Sequence, residues 1–308
     1  MADYFPFHPN PRTPHTKAPP GTIDSQFHVL GPADRYPVRP GAAYQMPTAT
    51  FAAARRMHQA MGIERGIIVQ TTTYGADHSV VIDALAEAGP GYKACANALV
   101  FAEADDAALA RLHEAGVRGA RFSFRQALGA VLSRSDFDRA IARIRELGWY
   151  VKIQPEANGI VDSAHWYEKL EMPVLIDHMA RPKPSGGADE PNLTLMTELL
   201  RRGNFWVMLS LVEKTSQAGP PWDDMLPIAR TYIETAPDRC VWASDWPHPV
   251  STKPPPNDAD IFEFVWRMLP DEAERHQVLV ENPSQLFGYV PCSRQNPKIL
   301  GRDDAEVV

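Results

Sequence analysis

Residues 119–154 read GARFSFRQALGAVLSRSDFDRAIARIRELGWYVKIQ. The stretch opens on a short apolar run, Gly119–Phe124, and closes on another, Tyr150–Gln154. Between them Phe137, Ala140, Ile141, Ile144 and Leu147 recur at the spacing that lines one face of a helix. Ser135 or Asp136 is expected to cap its first free amides, and Gly148 to end it in the left-handed conformation. Strand, helix and strand in this order form a parallel crossover unit, because parallel neighbours need a connection long enough to recross the sheet.

The same unit recurs in both directions from this stretch. Upstream, Thr22–Val29 precedes a helix on Phe51, Ala54, Met57 and Met61 that stops at Gly62. Gly66–Gln70 precedes Val80–Ala88, and Tyr92–Val100 precedes Asp106–Ala115 with Gly116 as its stop. Downstream, Tyr150–Gln154 is followed by a short helix around Ala164–Lys169, Val174–His178 by Leu193–Arg202, Phe205–Leu211 by Asp223–Thr235, and Cys240–Asp245 by Ala259–Leu269. Such a series predicts an α/β protein, a (β/α)8 TIM barrel. A doubly wound open sheet is the competitor, but no G-x-G-x-x-G follows any strand. Residues 1–20 carry prolines at 6, 9, 11, 14, 19 and 20 and are expected to form an extended arm, since each proline removes a backbone donor. The barrel is assigned to residues 21–290, with Asp271–Gly288 an added helical piece packed by Leu279, Leu286 and Phe287, and residues 291–308 a flexible tail.

Composition excludes several classes of function. Of 308 residues 44% are apolar and 22% charged, and no window is apolar enough to span a membrane. A net charge of −7 disfavours a nucleic-acid surface, so anions must be bound locally. Cys95, Cys240 and Cys292 fit neither a disulfide framework nor a zinc site, and they predict reduced thiols and a cytoplasmic location, with no export signal visible. A homo-oligomer is left open.

In a barrel of this kind chemistry sits at the C-terminal strand ends. There the sequence places Asp24-Ser25-Gln26-Phe27-His28, Arg121-Phe122-Ser123-Phe124-Arg125, Gln154-Pro155-Glu156, Asp177-His178-Met179-Ala180-Arg181 and Ser244-Asp245-Trp246-Pro247-His248. His28, His178 and Asp245 are the expected catalytic set. His8, His15, His58, His113 and His276 are expected at the surface, and His78 and His165 as helix caps. His248 is expected either to face substrate at the mouth or to support Asp245.

These segments, with Arg118-Gly119-Ala120-Arg121-Phe122 and Ala218-Gly219-Pro220-Pro221-Trp222-Asp223-Asp224, resemble the amidohydrolase superfamily. Within it they look like the branch of carboxylated-lactone enzymes, the 2-pyrone-4,6-dicarboxylate lactonases and the galactarolactone isomerases. The superfamily's first strand carries His-x-His, whereas this chain reads Gln26-Phe27-His28, as the isomerases do; the Met179-Ala180-Arg181-Pro182 continuation is lactonase-like. The resemblance implies ring opening of a small anionic lactone. It also places Tyr44 and Lys214 at substrate-contacting positions, and Gln154 where the lactonases have a tyrosine.

Metal-dependent members of the superfamily hold a divalent ion with residues at these strand ends. Here only His28, His178 and Asp245 remain as ligands, and zinc or manganese on those three is the alternative to the expected absence of any cofactor. Arg121 and Arg125 oppose a dication, since two unit charges ~5 Å apart cost about 3 kcal/mol at an effective dielectric of ~20. The expected mechanism makes Asp245 the general base, partly desolvated and so inclined to take up a proton, with His28 and His178 polarising the carbonyl and the Gln26 amide assisting. Arg121, Arg125 and Arg181 would grip substrate carboxylates. Three other functions compete: lactone isomerisation, a metal-dependent decarboxylase or hydrolase, and a catalytically dead binding barrel.

Overall fold

Parallel strands pair in chain order as β1 (Ile23–Phe27), β2 (Arg65–Val69), β3 (Tyr92–Asn97), β4 (Val117–Ser123), β5 (Tyr150–Gln154), β6 (Val174–Ile176), β7 (Phe205–Leu209) and β8 (Cys240–Trp242). The structure is a computed structural model and describes residues 4–289. Beyond β8 the chain returns to β1: the Asp245 amide donates to the Gln26 carbonyl at 3.0 Å and the His28 amide to the Trp246 carbonyl at 2.7 Å. That seam closes the (β/α)8 barrel, and it runs directly through the expected catalytic strand ends.

The helices are α1 (Phe51–Met61), α2 (Ser79–Ala88), α3 (Val100–Glu103), α4 (Asp106–Ala115), α5 (Arg134–Leu147), α6 (Pro191–Leu200), α7 (Val212–Thr215), α8 (Leu226–Thr235), α9 (Asp258–Met268), α10 (Glu272–His276) and α11 (Asn282–Phe287). Gly62, Gly116 and Gly148 end α1, α4 and α5 with positive φ, as their positions predict. The cap of α5 is Ser133 rather than Ser135 or Asp136, its hydroxyl accepting from the Asp136 amide at 3.2 Å.

Several expected bounds differ, and two of the differences have a clear local cause. After β5 only a 3₁₀ turn, Ala164–Trp166, forms where a helix to Lys169 is predicted. The amides of Ile160 and Val161 go instead to the Asn192 side chain, at 2.7 and 3.3 Å, so the approach to that segment is held as loop. Strand β3 stops at Asn97 rather than Val100, because the Asn97 side chain accepts from the Leu99 amide at 3.0 Å and turns the chain into α3.

The barrel interior is filled by Ile23, Ile67, Val69, Cys95, Tyr150, Leu175, Trp206, Met208 and Val241, with Phe287 of α11 packed among them. A Cβ on Gly119 would lie 2.4 Å from the Tyr150 ring, so no other residue fits there. The outer layer, between strands and helices, is a larger apolar cluster that includes Phe27, Phe122, Phe137, Ile144 and Leu199. The described part of the arm lies against the barrel: the Phe5 amide donates to Ser251 at 3.0 Å, the Phe7 ring sits 4.7 Å from that of Trp246, and Arg12 pairs with Asp260 of α9. The expected tail and Cys292 lie outside the described residues; Cys95 and Cys240 are buried free thiols.

Three histidine expectations are overturned. His58, expected at the surface, is fully buried, its ring 3.0 Å from Asp24 Oδ2 and 3.1 Å from the Tyr92 hydroxyl. It shares the inward stripe of α1 with Phe51 and Ala54, and the outward-facing Asp24 of β1 gives it a partner. His78 makes no side-chain cap on α2; its Nε2 accepts from the Asn97 amide at 3.0 Å while Nδ1–H donates to Ala76 at 2.8 Å. His165 lies exposed within the 3₁₀ turn and is not its capping residue.

Candidate active site

At the C-terminal strand ends a cavity of about 210 Å³ is lined by His28, Tyr44, Arg121, Arg125, Gln154, His178, Arg181, Lys214 and Asp245, with Thr71, Leu128, Leu211, Pro249 and Val250 completing the wall. Gln26 and His248 do not line it. Gln26 is fully buried behind Asp245 and donates from Nε2 to Asp245 Oδ1 at 2.7 Å. His248 is fully buried beside Glu213 and Asp258.

His28 Nδ1–H donates to the Val69 carbonyl at 2.7 Å, which leaves Nε2 facing Asp245 Oδ1 at 3.3 Å. His178 has its Nδ1 2.9 Å from the Ser210 hydroxyl. Burial pushes the His178 imidazole well below its ordinary value, with Asp245 opposing and Arg181 adding to the effect, so the ring is neutral near pH 7. For Asp245, burial alone would raise the carboxyl, but the field of His178 whenever that ring is protonated, the hydrogen-bonding contact with His28 and the Lys214 ammonium outweigh it and hold the group well below the usual carboxylate range. The expected inclination of Asp245 to take up a proton is therefore corrected: it stands as a carboxylate, because the positive surroundings exceed the desolvation cost.

Backbone strain gathers at the same strand ends. His178, Met179, Ala180 and Arg181 take φ of 57°, 52°, 61° and 54° in succession, and Asp245, His248 and Val250 take 57°, 60° and 58°. Each such non-glycine residue costs roughly 1–2 kcal/mol and persists only where its surroundings impose it. Met179 and Ala180 are fully buried and the Tyr232 hydroxyl donates to the Met179 carbonyl at 2.9 Å, which fixes the turn that carries His178 and Arg181.

The cations differ in what already engages them. Arg121 donates to the Gln70 carbonyl at 3.0 Å and lies 3.9 Å from Asp177; Arg125 is 3.6 Å from Glu156; Lys214 donates to the Pro249 carbonyl at 2.9 Å. Arg181 has neither a carboxylate nor a carbonyl partner among the described residues, and burial together with Arg125 lowers its guanidinium to about 10. Beneath the cavity, Lys152 Nζ sits 2.8 Å from Asp177 Oδ1 and both side chains are fully buried. Burial raises the Asp177 carboxyl against the opposing pull of Lys152 and Arg121. Sequence reasoning missed this pair. Its signal was Lys152 at an interior position of the otherwise apolar β5.

Among the described residues no group of three or more His, Cys, Asp or Glu side chains is arranged to hold a divalent ion. Asp245 Oδ1 already accepts from Gln26, the residue standing where the superfamily has a ligating histidine, and Arg121, Arg125, Arg181 and Lys214 crowd the same cavity.

A barrel with an aspartate and imidazoles at its strand ends, ringed by cations, defines a hydrolase-like class of site. The chain belongs to the amidohydrolase family, whose model matches residues 23–289. It is 36% identical over 278 residues, 88% of this chain and 90% of the relative, to a 4-sulfomuconolactone hydrolase of Hydrogenophaga intermedia. It is 33% identical to a 2-pyrone-4,6-dicarboxylate hydrolase of Comamonas testosteroni, covering 90% of this chain and 93% of that one. A D-galactarolactone isomerase of Agrobacterium fabrum is 31% identical over 92% of this chain and 94% of its own length.

Proposed function

We propose that the protein opens the ring of an anionic, carboxylated lactone by attack of water, with Asp245 as general base and no metal ion. The observation that carries this reading is the Asp245 carboxyl group, 3.3 Å from His28 Nε2, in a cavity that also brings together Arg121, Arg125, Arg181 and Lys214. Relatives named for hydrolysis of a sulfonated lactone and of a pyrone dicarboxylate support the substrate class.

Asp245 takes a proton from water as the water oxygen bonds to the lactone carbonyl carbon. With the Ser210 hydroxyl donating to Nδ1, His178 presents Nε2–H, and that group donates to the oxyanion as it forms. His28 has its Nδ1–H committed to Val69 and its Nε2 turned to Asp245, so it does not share that task. Its Nε2 instead faces Asp245, placed to pass the proton on as the ring C–O bond breaks and the leaving oxygen is protonated. Arg181, the cation without a protein partner, anchors a substrate carboxylate in a paired contact, with Arg121, Arg125, Tyr44, Gln154 and Lys214 around it. The products are an open-chain acid and its released proton, a ring-opening step suited to a cytoplasmic breakdown sequence.

The test is a panel of lactones, including 2-pyrone-4,6-dicarboxylate and 4-sulfomuconolactone, assayed on chelator-treated protein with a pH indicator. Acid release without added metal is expected; activity that appears only with stoichiometric zinc or manganese sinks the metal-free mechanism. Isomerisation is the second reading, favoured by Gln26, whose amide holds Asp245 Oδ1 in the pattern shared with the isomerases. Proton NMR then shows a second lactone and no net acid.

A further inference from the structure

We propose that Glu213, His248 and Asp258 act as a buried clamp that positions Asp245 and Lys214, a role that rests on the hydrolase reading above and in which His248 never touches substrate. The His248 ring is fully buried, with Nε2 3.1 Å from Asp258 Oδ1 and Nδ1 3.4 Å from Glu213 Oε1. Nε2 is hydrogen-bonded to Asp258, while Glu213 Oε1 stands at ion-pair distance from Nδ1 and neither of those two atoms has another hydrogen-bond partner among the described residues. Carboxylates only accept, so one on each side matches a ring that carries a proton on each nitrogen. The surrounding charge agrees with this, since Asp258 and Glu213 overcome burial and raise the imidazole to about 10.

The clamp joins three pieces of chain. Glu213 lies on α7 just past β7, His248 in the turn beyond β8, and Asp258 in the first turn of α9. Each end leads straight to the cavity. The His248 amide donates to the Asp245 carbonyl at 2.8 Å, and Lys214, next to Glu213, donates to the carbonyl of Pro249, next to His248, at 2.9 Å. The turn from Asp245 to Val250 contains three left-handed non-glycine residues, a conformation the chain abandons unless it is pinned. An imidazolium held from both sides supplies that pin, and Asp245 inherits its orientation.

Two measurements on the full-length chain test this. In protein labelled with ¹⁵N-histidine at pH 8, long-range NMR is expected to show a ring protonated on both nitrogens that is assigned to His248 by its loss in His248→Gln. In kinetics on whichever lactone the wild type turns over, His248→Gln and Glu213→Gln are expected to lower kcat about 30-fold and about tenfold, with KM shifted no more than about threefold. The double variant is expected to lose no more than His248→Gln alone, because the three groups act as one unit. A singly protonated His248 ring overturns the clamp whatever the turnover. Folded variants that keep wild-type kcat, losing only thermal stability, overturn the positioning role. A doubly protonated ring in a protein that turns over no lactone supports the clamp's charge state and overturns the hydrolase reading. Should His248→Gln fail to fold, Glu213→Gln carries both readouts.

Discussion

Two neighbouring clusters of buried ionisable groups at the barrel mouth have opposite charge balances. In the cavity, His28 and His178 share one carboxylate, Asp245, among Arg121, Arg125, Arg181 and Lys214. Behind it a single imidazole, His248, stands between two carboxylates. Burial opposes the charged ring in both places. At His178 it prevails, with nearby cations assisting, and the ring is neutral; at His248 the carboxylates prevail, and it stays charged to about 10. Equal burial therefore does not decide protonation; the sign of the neighbours does. A neutral ring can donate to a developing oxyanion, whereas a ring saturated by two carboxylates serves only to hold structure.

The sharpest way to break the contrast is to remove the one carboxylate of the cavity. Asp245→Asn is expected to lower kcat by about 10³-fold or more with KM nearly unchanged, the scale of a lost general base. A loss below tenfold would contradict the role.

Next in size is the ion pair under the cavity. Lys152→Met leaves Asp177 buried without its partner and is expected to destabilise the fold by about 3–5 kcal/mol in urea titration, with most of that recovered in Lys152→Met/Asp177→Asn. If the single and double variants unfold at the same urea concentration, the pair is not coupled.

A smaller effect is expected at the anion anchor. Arg181→Met should raise KM about thirtyfold while kcat changes little, since a hydrogen-bonded charge is worth about 1.5–3 kcal/mol in binding. A change confined to kcat would move Arg181 from binding to chemistry.

The last test sharpens the comparison through pH. His248 is raised from 6.5 to about 10 in the folded state, so its contribution to stability is complete below pH 6.5 and is lost as pH climbs toward 10. His78 runs the other way: burial lowers it from 6.5 to about 4, the unfolded chain binds the extra proton, and stability falls as pH drops through that window. Tm measured across pH should decline on both sides, and His248→Gln should flatten only the alkaline side. An unchanged alkaline slope in that variant would mean the ring is not charged in the fold.

Much of the site was legible from strand ends alone. His28, Gln154, His178 and Asp245 lie at or just before the end of an apolar run, Arg121 lies within one, and all of them line the cavity. Lys152, Asp177 and His58 were not legible as buried partners, because a charged residue inside an apolar pattern signals burial only when its counter-charge is known. Lys152 meets Asp177 from the next strand, and His58 meets Asp24 across a helix and a sheet. The missing helix after β5 escaped for the same reason: its competitor, Asn192, comes from a distant element.

Local periodicity and turn chemistry, each encoded within a dozen or so neighbouring residues, were enough to establish the strand–helix alternation, the glycine stops and the polar residues left at each strand's exit. Closure of the barrel decided the rest: that Gln26 would bond Asp245, that Asp245 would be ionised and His178 neutral, and that His248 would turn away from the cavity toward two carboxylates. Desolvation and Coulomb energies depend on burial and separation in space, and neither exists until the first and last strands meet.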